Sequence, residues 1–176
     1  MRILNNLRDG KTFKMGIEVH SFRSEIQRVK DFVTELLQTC YEDEMLDRLI
    51  LAFDEIITNA YEHGNLEISK EEKVYLVSMQ IFEDDLERRE RKFGHRRVRV
   101  EICLSKDKCL LVVEDEGSGF DWQNELYPPR ASSSKVINLS GKFSGHGLLL
   151  IKKMVDSLLY SETGNRCEIS KFLKLK

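Results

Sequence analysis

No stretch of this chain is long and apolar enough to span a membrane, and its first residues, MRILNNLRDGKTF, carry no signal-peptide apolar segment. The expectation is a cytoplasmic protein without membrane contact. An excess of either charge is missing too. Lys and Arg number 28 against 30 Asp and Glu, so no global field recruits nucleic acid or an anionic surface. The four cysteines, Cys40, Cys103, Cys109 and Cys167, show neither C-x-x-C spacing nor an accompanying histidine pattern. That argues against zinc and redox motifs and points to free thiols in reducing surroundings. Proline occurs only twice, at Pro128 and Pro129, and no repeat or disordered linker divides the chain. Its 176 residues are expected to form one domain, 1–176, with a substantial core.

What the chain does have is concentrated in three boxes. The first is LAFDEIITNAYEHGN, residues 51–65. Leu46, Leu49, Phe53, Ile56, Ile57 and Ala60 recur at helical spacing and predict an amphipathic helix. Glu55, Asn59 and His63 fall four residues apart and share one face beside the apolar stripe. Polar groups bordering a core are costly. A row of carboxylate, amide and imidazole can hold a hydrated divalent cation through the amide oxygen while the carboxylate accepts a proton. The same row also fits the polar edge of a surface helix capped at Gly64-Asn65.

The second box is LLVVEDEGSGF, residues 110–120. Leu110 to Val113 predicts a buried strand. It runs into Asp115 and then Gly117 and Gly119, which let a ligand approach the backbone. A carboxylate there accepts a hydrogen bond from an exocyclic amine such as adenine's, where guanine would present a repelling carbonyl. A plain acidic turn has the same letters. The third box is SGHGLLLIKKMVDSL, residues 144–158. Leu148, Leu149, Ile151, Met154, Val155 and Leu158 give a helical stripe opened by Gly145-His146-Gly147. The free amides and positive end of such a helix suit phosphate, and the glycines also suit a flexible joint.

Around the boxes, residues 12–19 predict an edge strand and residues 21–40 a helix. A helix over 43–63 follows. Residues 97–104 and 108–115 predict one hairpin, and 157–161 and 166–173 a second, turned at Gly164-Asn165. The fold class is α+β: a two-layer α/β sandwich, its sheet antiparallel or mixed, with helices on one face. Residues 69–97 predict a helical insertion with a capping box at Ser69 and Glu72 and the pairs Asp84–Arg88, Asp85–Arg89 and Glu87–Arg91. A structural helix is its first reading and a protein-partner surface its second. Nucleic acid comes last, because neighbouring acids neutralise ERRERKFGHRR. Residues 121–144 form the main loop, stiffened by the two prolines and loosened by serines and Gly141.

The order of the boxes resembles the GHKL ATPase superfamily, whose members include histidine-kinase catalytic domains, the gyrase and MutL ATPases and the anti-sigma-factor serine kinases. EIITNAYEHGN is similar to the N-box, DEGSGFD to the first glycine box and GHGLLLIKKMVD to the second, and the likeness spans residues 12–173. It implies a Bergerat-type ATP-binding fold with ATP and Mg²⁺ as cofactors. The pattern E-x-x-x-N-A-x-x-H-G-N and the ending GNRCEISKFLK resemble the anti-sigma-factor serine/threonine kinase branch in particular. That branch implies a sigma factor and an anti-anti-sigma phosphoacceptor as partners, a homodimer, and no direct nucleic-acid contact.

Carried over residue by residue, the resemblance implies Asn59 as the Mg²⁺ ligand and Glu55 as the general base. It implies Asp115 as the adenine reader, with Gly117 and Gly119 shaping that pocket. Gly145, His146 and Gly147, followed by Leu148, would offer amides to the phosphates, and His63 would support the metal side. Residues 121–144 would be the ATP lid, with Lys142 the best-placed cation for a γ-phosphate and Lys135 second. Ordinary solvent exposure accounts equally well for both lysines. Two features depart from the compact anti-sigma kinases: Phe143 stands where arginine is common, and the 69–97 insertion is extra. The reading from another class is a nucleotide-gated protein-binding regulator without kinase activity. The carboxylate at Glu55 favours the enzyme.

Overall fold

The computed structural model describes residues 1–8, 12–127, 147–174 and 176, with residues 5–8 traced as backbone. The elements run β1 (Arg2–Arg8), β2 (Thr12–His20), α1 (Arg23–Cys40) and α2 (Leu46–Asn59), followed by a π-helical turn at Ala60–Asn65. Next come α3 (Lys70–Ser78), α4 (Phe82–Phe93), β3 (Arg97–Ser105), β4 (Lys108–Asp115) and α5 (Trp122–Leu126). The chain then continues through α6 (Gly147–Met154), β5 (Ser157–Tyr160) and β6 (Arg166–Phe172).

Period-two alternation makes the sheet one-sided. Val98, Val100, Ile102 and Leu104 of β3, Cys109, Leu111 and Val113 of β4, and Cys167 and Ile169 of β6 all enter the core. The apolar stripes of α1 (Ile26, Val29, Val33, Leu37) and α2 (Leu49, Phe53, Ile56, Ile57) cover them. Tyr41 at the end of α1 pins the β3–β4 hairpin, donating to the carbonyls of Ser105 at 2.9 Å and Lys108 at 3.1 Å. The opposite face is mostly polar, with Cys103, Leu110 and the buried Val112 among its charged residues. There Glu18 accepts from Arg97 at 2.7 Å and Arg99 at 2.9 Å, and the Arg99 hydrogen bond leads in holding the Glu18 carboxyl below its usual range. The architecture is α+β, with six strands in the order β1-β2-β3-β4-β6-β5. Among the described residues every neighbouring pair is antiparallel, which is one of the two pairings the sequence allowed.

Five expectations need correction. The strand over 12–19 is not at the edge, because β1 pairs outside it. β1 escapes the pattern because its register slips between Ile3 and Asn5, so RILNNLR shows no clean alternation. The helix over 43–63 ends at Asn59 and widens into the π turn, where the Leu66 amide reaches back to the Tyr61 carbonyl at 2.9 Å. The insertion is two helices, broken around Gln80, whose φ is +59°. Its capping box forms at Ser69 and Glu72, as do the Asp85–Arg89 and Glu87–Arg91 pairs, but Arg88 turns to Asp85 rather than Asp84. Finally, Leu158 leaves the stripe of α6 and lies in β5.

Candidate functional site

A cavity of about 440 Å³ opens between α2, the end of β4 and the β5–β6 turn, a size that accommodates a small-molecule ligand. Ile56, Val113 and Leu148 line its apolar part, Asn59, His63 and Asp115 its polar part, and Phe120 and Tyr160 one wall. Those two rings meet edge to face at 5.4 Å, and Trp122 stacks on Tyr160 at 5.8 Å. The first residues of the insertion, Ser69, Lys70 and Glu71, also line the cavity. The Lys70–Glu125 ion pair links the insertion to α5 beside them.

Asp115 is the most perturbed acid here. It is 8 % exposed, and burial lifts its carboxyl from 3.8 to about 6, against the Gly117 amide, which donates to it at 2.8 Å and pulls the other way. Two Gly-Asn dipeptides clasp the turn that follows. On one side, a Cβ on Gly64 would stand 2.5 Å from the Asp115 carboxylate, and one on Gly117 2.4 Å from the Gly64 carbonyl. Gly64 therefore serves a close approach and not the helix cap its sequence position predicts. On the other side, Asn165 accepts from the Asp115 amide at 3.0 Å and donates its own side-chain amide to the Asp115 carbonyl at 3.2 Å.

Gly119 has φ +76°, and a Cβ there would lie 1.9 Å from the Thr163 carbonyl oxygen. Left-handed strain and a backbone clash add, so Gly119→Ala is expected to cost roughly 2–4 kcal/mol of stability. A thermal melt of the variant within a degree or two of the wild type would refute this packing.

The structure brings most of the expected residues together. Asn59, the last residue of α2, and His63 line the cavity, and the His63 Nδ1 is engaged by the Ile68 carbonyl. Glu55, one turn before Asn59, does not line it. Its Oε2 instead lies 4.0 Å from the position of a Cβ on Gly147, at the start of α6. The side chains of Glu55 and Asn59 make no hydrogen bond to another described residue, while their backbones belong to α2. Gly117 forms the turn, while Gly119 and Leu148 line the cavity. Lys135, Lys142, Gly145 and His146 fall outside the described residues, as does most of the expected lid beyond α5. Sequence reasoning missed the contacts of Gly64, Asn65, Gly164 and Asn165. The only signal was the repeated Gly-Asn pair, which reads locally as a turn.

The donor set suits a hard cation: an amide oxygen at Asn59 with a carboxylate one turn earlier. Magnesium needs only one or two protein ligands, the rest being phosphate and water. No group of three or more His, Cys, Asp or Glu able to hold a metal occurs among the described residues. No described helix is long and apolar enough to cross a membrane.

An antiparallel sheet backed by helices thus carries a buried carboxylate at a strand end and an amide-bearing helix on one cavity. The family model for the histidine kinase-like ATPase domain matches residues 23–171, from the start of α1 into β6. The chain belongs to that family, and its nucleotide is ATP. No curated protein matches the chain.

Proposed function

We propose that this chain is an ATP- and Mg²⁺-dependent serine/threonine protein kinase of the anti-sigma-factor type, acting in partner-switching control of transcription. One observation carries the reading. Glu55 lies beside Gly147 at the opening of α6 while Asn59, four residues on, lines the cavity. In this reading Glu55 is the base and Asn59 the cation ligand, and the phosphates of a bound ATP lie between them.

In this proposal the adenine amine donates to Asp115, with Gly117 and Gly119 admitting the base. Asn59 supplies the magnesium ligand, and His63 supports that side of the cavity. The α6 amides at Gly147 and Leu148 receive the phosphates, joined by Gly145, His146 and Lys142. Bound Mg²⁺ supplies charge neutralisation on the phosphates. The oxygen of an acceptor serine or threonine then bonds to the γ-phosphorus as the bond to the β-phosphate oxygen breaks. Glu55 takes the hydroxyl proton, and ADP leaves. The proposed partners are an anti-anti-sigma protein as acceptor, a sigma factor held in competition with it, and a second copy of the chain.

The second reading, a nucleotide-gated binding regulator that transfers nothing, draws on the insertion. Helix α3 buries only Leu76 and leaves Tyr75, Val77 and, just past its end, Met79 more than half exposed, as a partner-binding element would.

Titration calorimetry with a γ-phosphate label separates the two. Wild type is expected to bind ATP more tightly with Mg²⁺ and to place label on a serine or threonine of a small acceptor protein. Asn59→Ala is expected to lose the magnesium-dependent part, about tenfold or more in affinity. Mg-dependent ATP binding with no label on any protein would sink the kinase and leave the regulator.

A further inference from the structure

Asn65 is fully buried, and every hydrogen-bonding atom of its side chain is used. Its Nδ2 donates to the Ser21 Oγ at 2.7 Å and to the Arg97 carbonyl at 3.0 Å, and its Oδ1 accepts from the Glu116 amide at 2.8 Å. These partners sit just past the end of β2, at the start of β3 and just past the end of β4. The residue's own carbonyl accepts from Arg96 at 2.7 Å. It closes the π turn Ala60–Asn65, a distortion that recurs at functional positions in helices.

The Glu116 amide lies between Asp115 and Gly117, so whatever holds it also fixes the peptide unit from which the Asp115 side chain is aimed. Gly64, the preceding residue, meets the Asp115 carboxylate directly. The dipeptide thereby limits the carboxylate from one side and anchors its backbone from another. Without the Asn65 acceptor, the Glu116 amide would be left unpaired in a part-buried position, which favours a different turn conformation.

We propose that Asn65 is the positioning residue of the base-reading carboxylate. It touches no nucleotide, and through the Glu116 amide it sets the direction in which Asp115 presents its oxygens to the purine 6-amino group. This rests on the assignment of Asp115 to adenine given above.

The test compares the affinities of ATP and of purine riboside triphosphate, which lacks the 6-amino group, at pH 8. Their ratio is independent of the fraction of protein folded, so a merely destabilising change does not move it. Wild type is expected to prefer ATP by about tenfold or more, the worth of one hydrogen bond to a charged acceptor. In Asn65→Ser, whose hydroxyl is too short to reach Glu116, the ratio is expected to fall within about threefold of unity. A wild-type ratio in Asn65→Ser overturns the proposal. Should that variant not fold, Asn65→Ala, which removes the same acceptor and buries no charge, takes its place: a ratio near unity supports the proposal, and a wild-type ratio overturns it. The adenine reading fails separately: a wild type indifferent to the 6-amino group, or Asp115→Asn with an unchanged ratio, removes it and the role of Asn65 together.

Discussion

Asp115→Asn is expected to stabilise the ligand-free protein and to cost it its nucleotide. The carboxyl titrates at about 6 in the folded chain against an ordinary 3.8, a difference that corresponds to about 3 kcal/mol against folding once the group is ionised. The sign follows from proton binding. Between pH 3.8 and about 6 the folded state holds a proton that the unfolded state has released. The penalty is therefore complete above about pH 6 and fades as pH falls through that range. Asparagine keeps an oxygen for the Gly117 amide and carries no charge, so the variant should gain about 1–3 kcal/mol at pH 8, and little at pH 4. The same exchange places an N–H₂ against the adenine amine, and affinity should drop about 100-fold. In the wild type, ATP affinity should fall about tenfold from pH 8 to pH 5 as Asp115 takes up its proton. The variant lacks that component and supplies the baseline for the nucleotide's own titration. Melting curves and calorimetry at pH 4, 5 and 8 decide the matter. A variant less stable than wild type at pH 8 would contradict the burial argument, and unchanged affinity would contradict the adenine assignment.

Glu55→Ala separates chemistry from binding. Glu55 does not line the cavity that Asp115 lines, so ATP affinity should stay within about threefold of wild type. Its Oε2 lies beside the opening of α6, where the proposed transfer would have a proton leave the attacking hydroxyl. Loss of a general base typically lowers a rate by about 10²–10⁴-fold, and single-turnover transfer should fall by that factor. Transfer at the wild-type rate would mean that another group takes the proton. An equal loss of affinity and rate would make Glu55 a ligand-binding group.

The sequence made the lining of the cavity legible where it depends on short spacing. Asn59 and His63, four residues apart, both line it although His63 lies in the π turn, and Asp115 ends the strand that the apolar run LLVV predicts, with Leu111, Val112 and Val113 buried. The two hairpins and the open face of the sheet followed from period-two alternation. What stayed hidden depends on contacts distant in sequence. Gly64 needs its bare Cα because of a carboxylate fifty-one positions later, and Asn65 spends its amide on β3 and on the residue after β4. Locally both look like a helix stop. β1 stayed hidden because a register slip erases its alternation, and the break between α3 and α4 because Gln80 is no usual bearer of positive φ.

The anchoring of the insertion has a consequence for how this chain can change over time. Arg89 on α4 holds the carbonyls of Leu66 and Glu67, Arg96 holds those of Asn65 and the Glu67 carboxylate, and Lys73 pairs with Glu62. The fixed points thus fall mainly on α4 and on the approach to β3. Val74, Tyr75 and Val77 on α3 carry none of them and stand in solvent. Mutations there leave the ATP cavity intact, so that stretch is free to drift, and descendants of this chain can acquire new recognition on α3 while inheriting the nucleotide machinery unaltered.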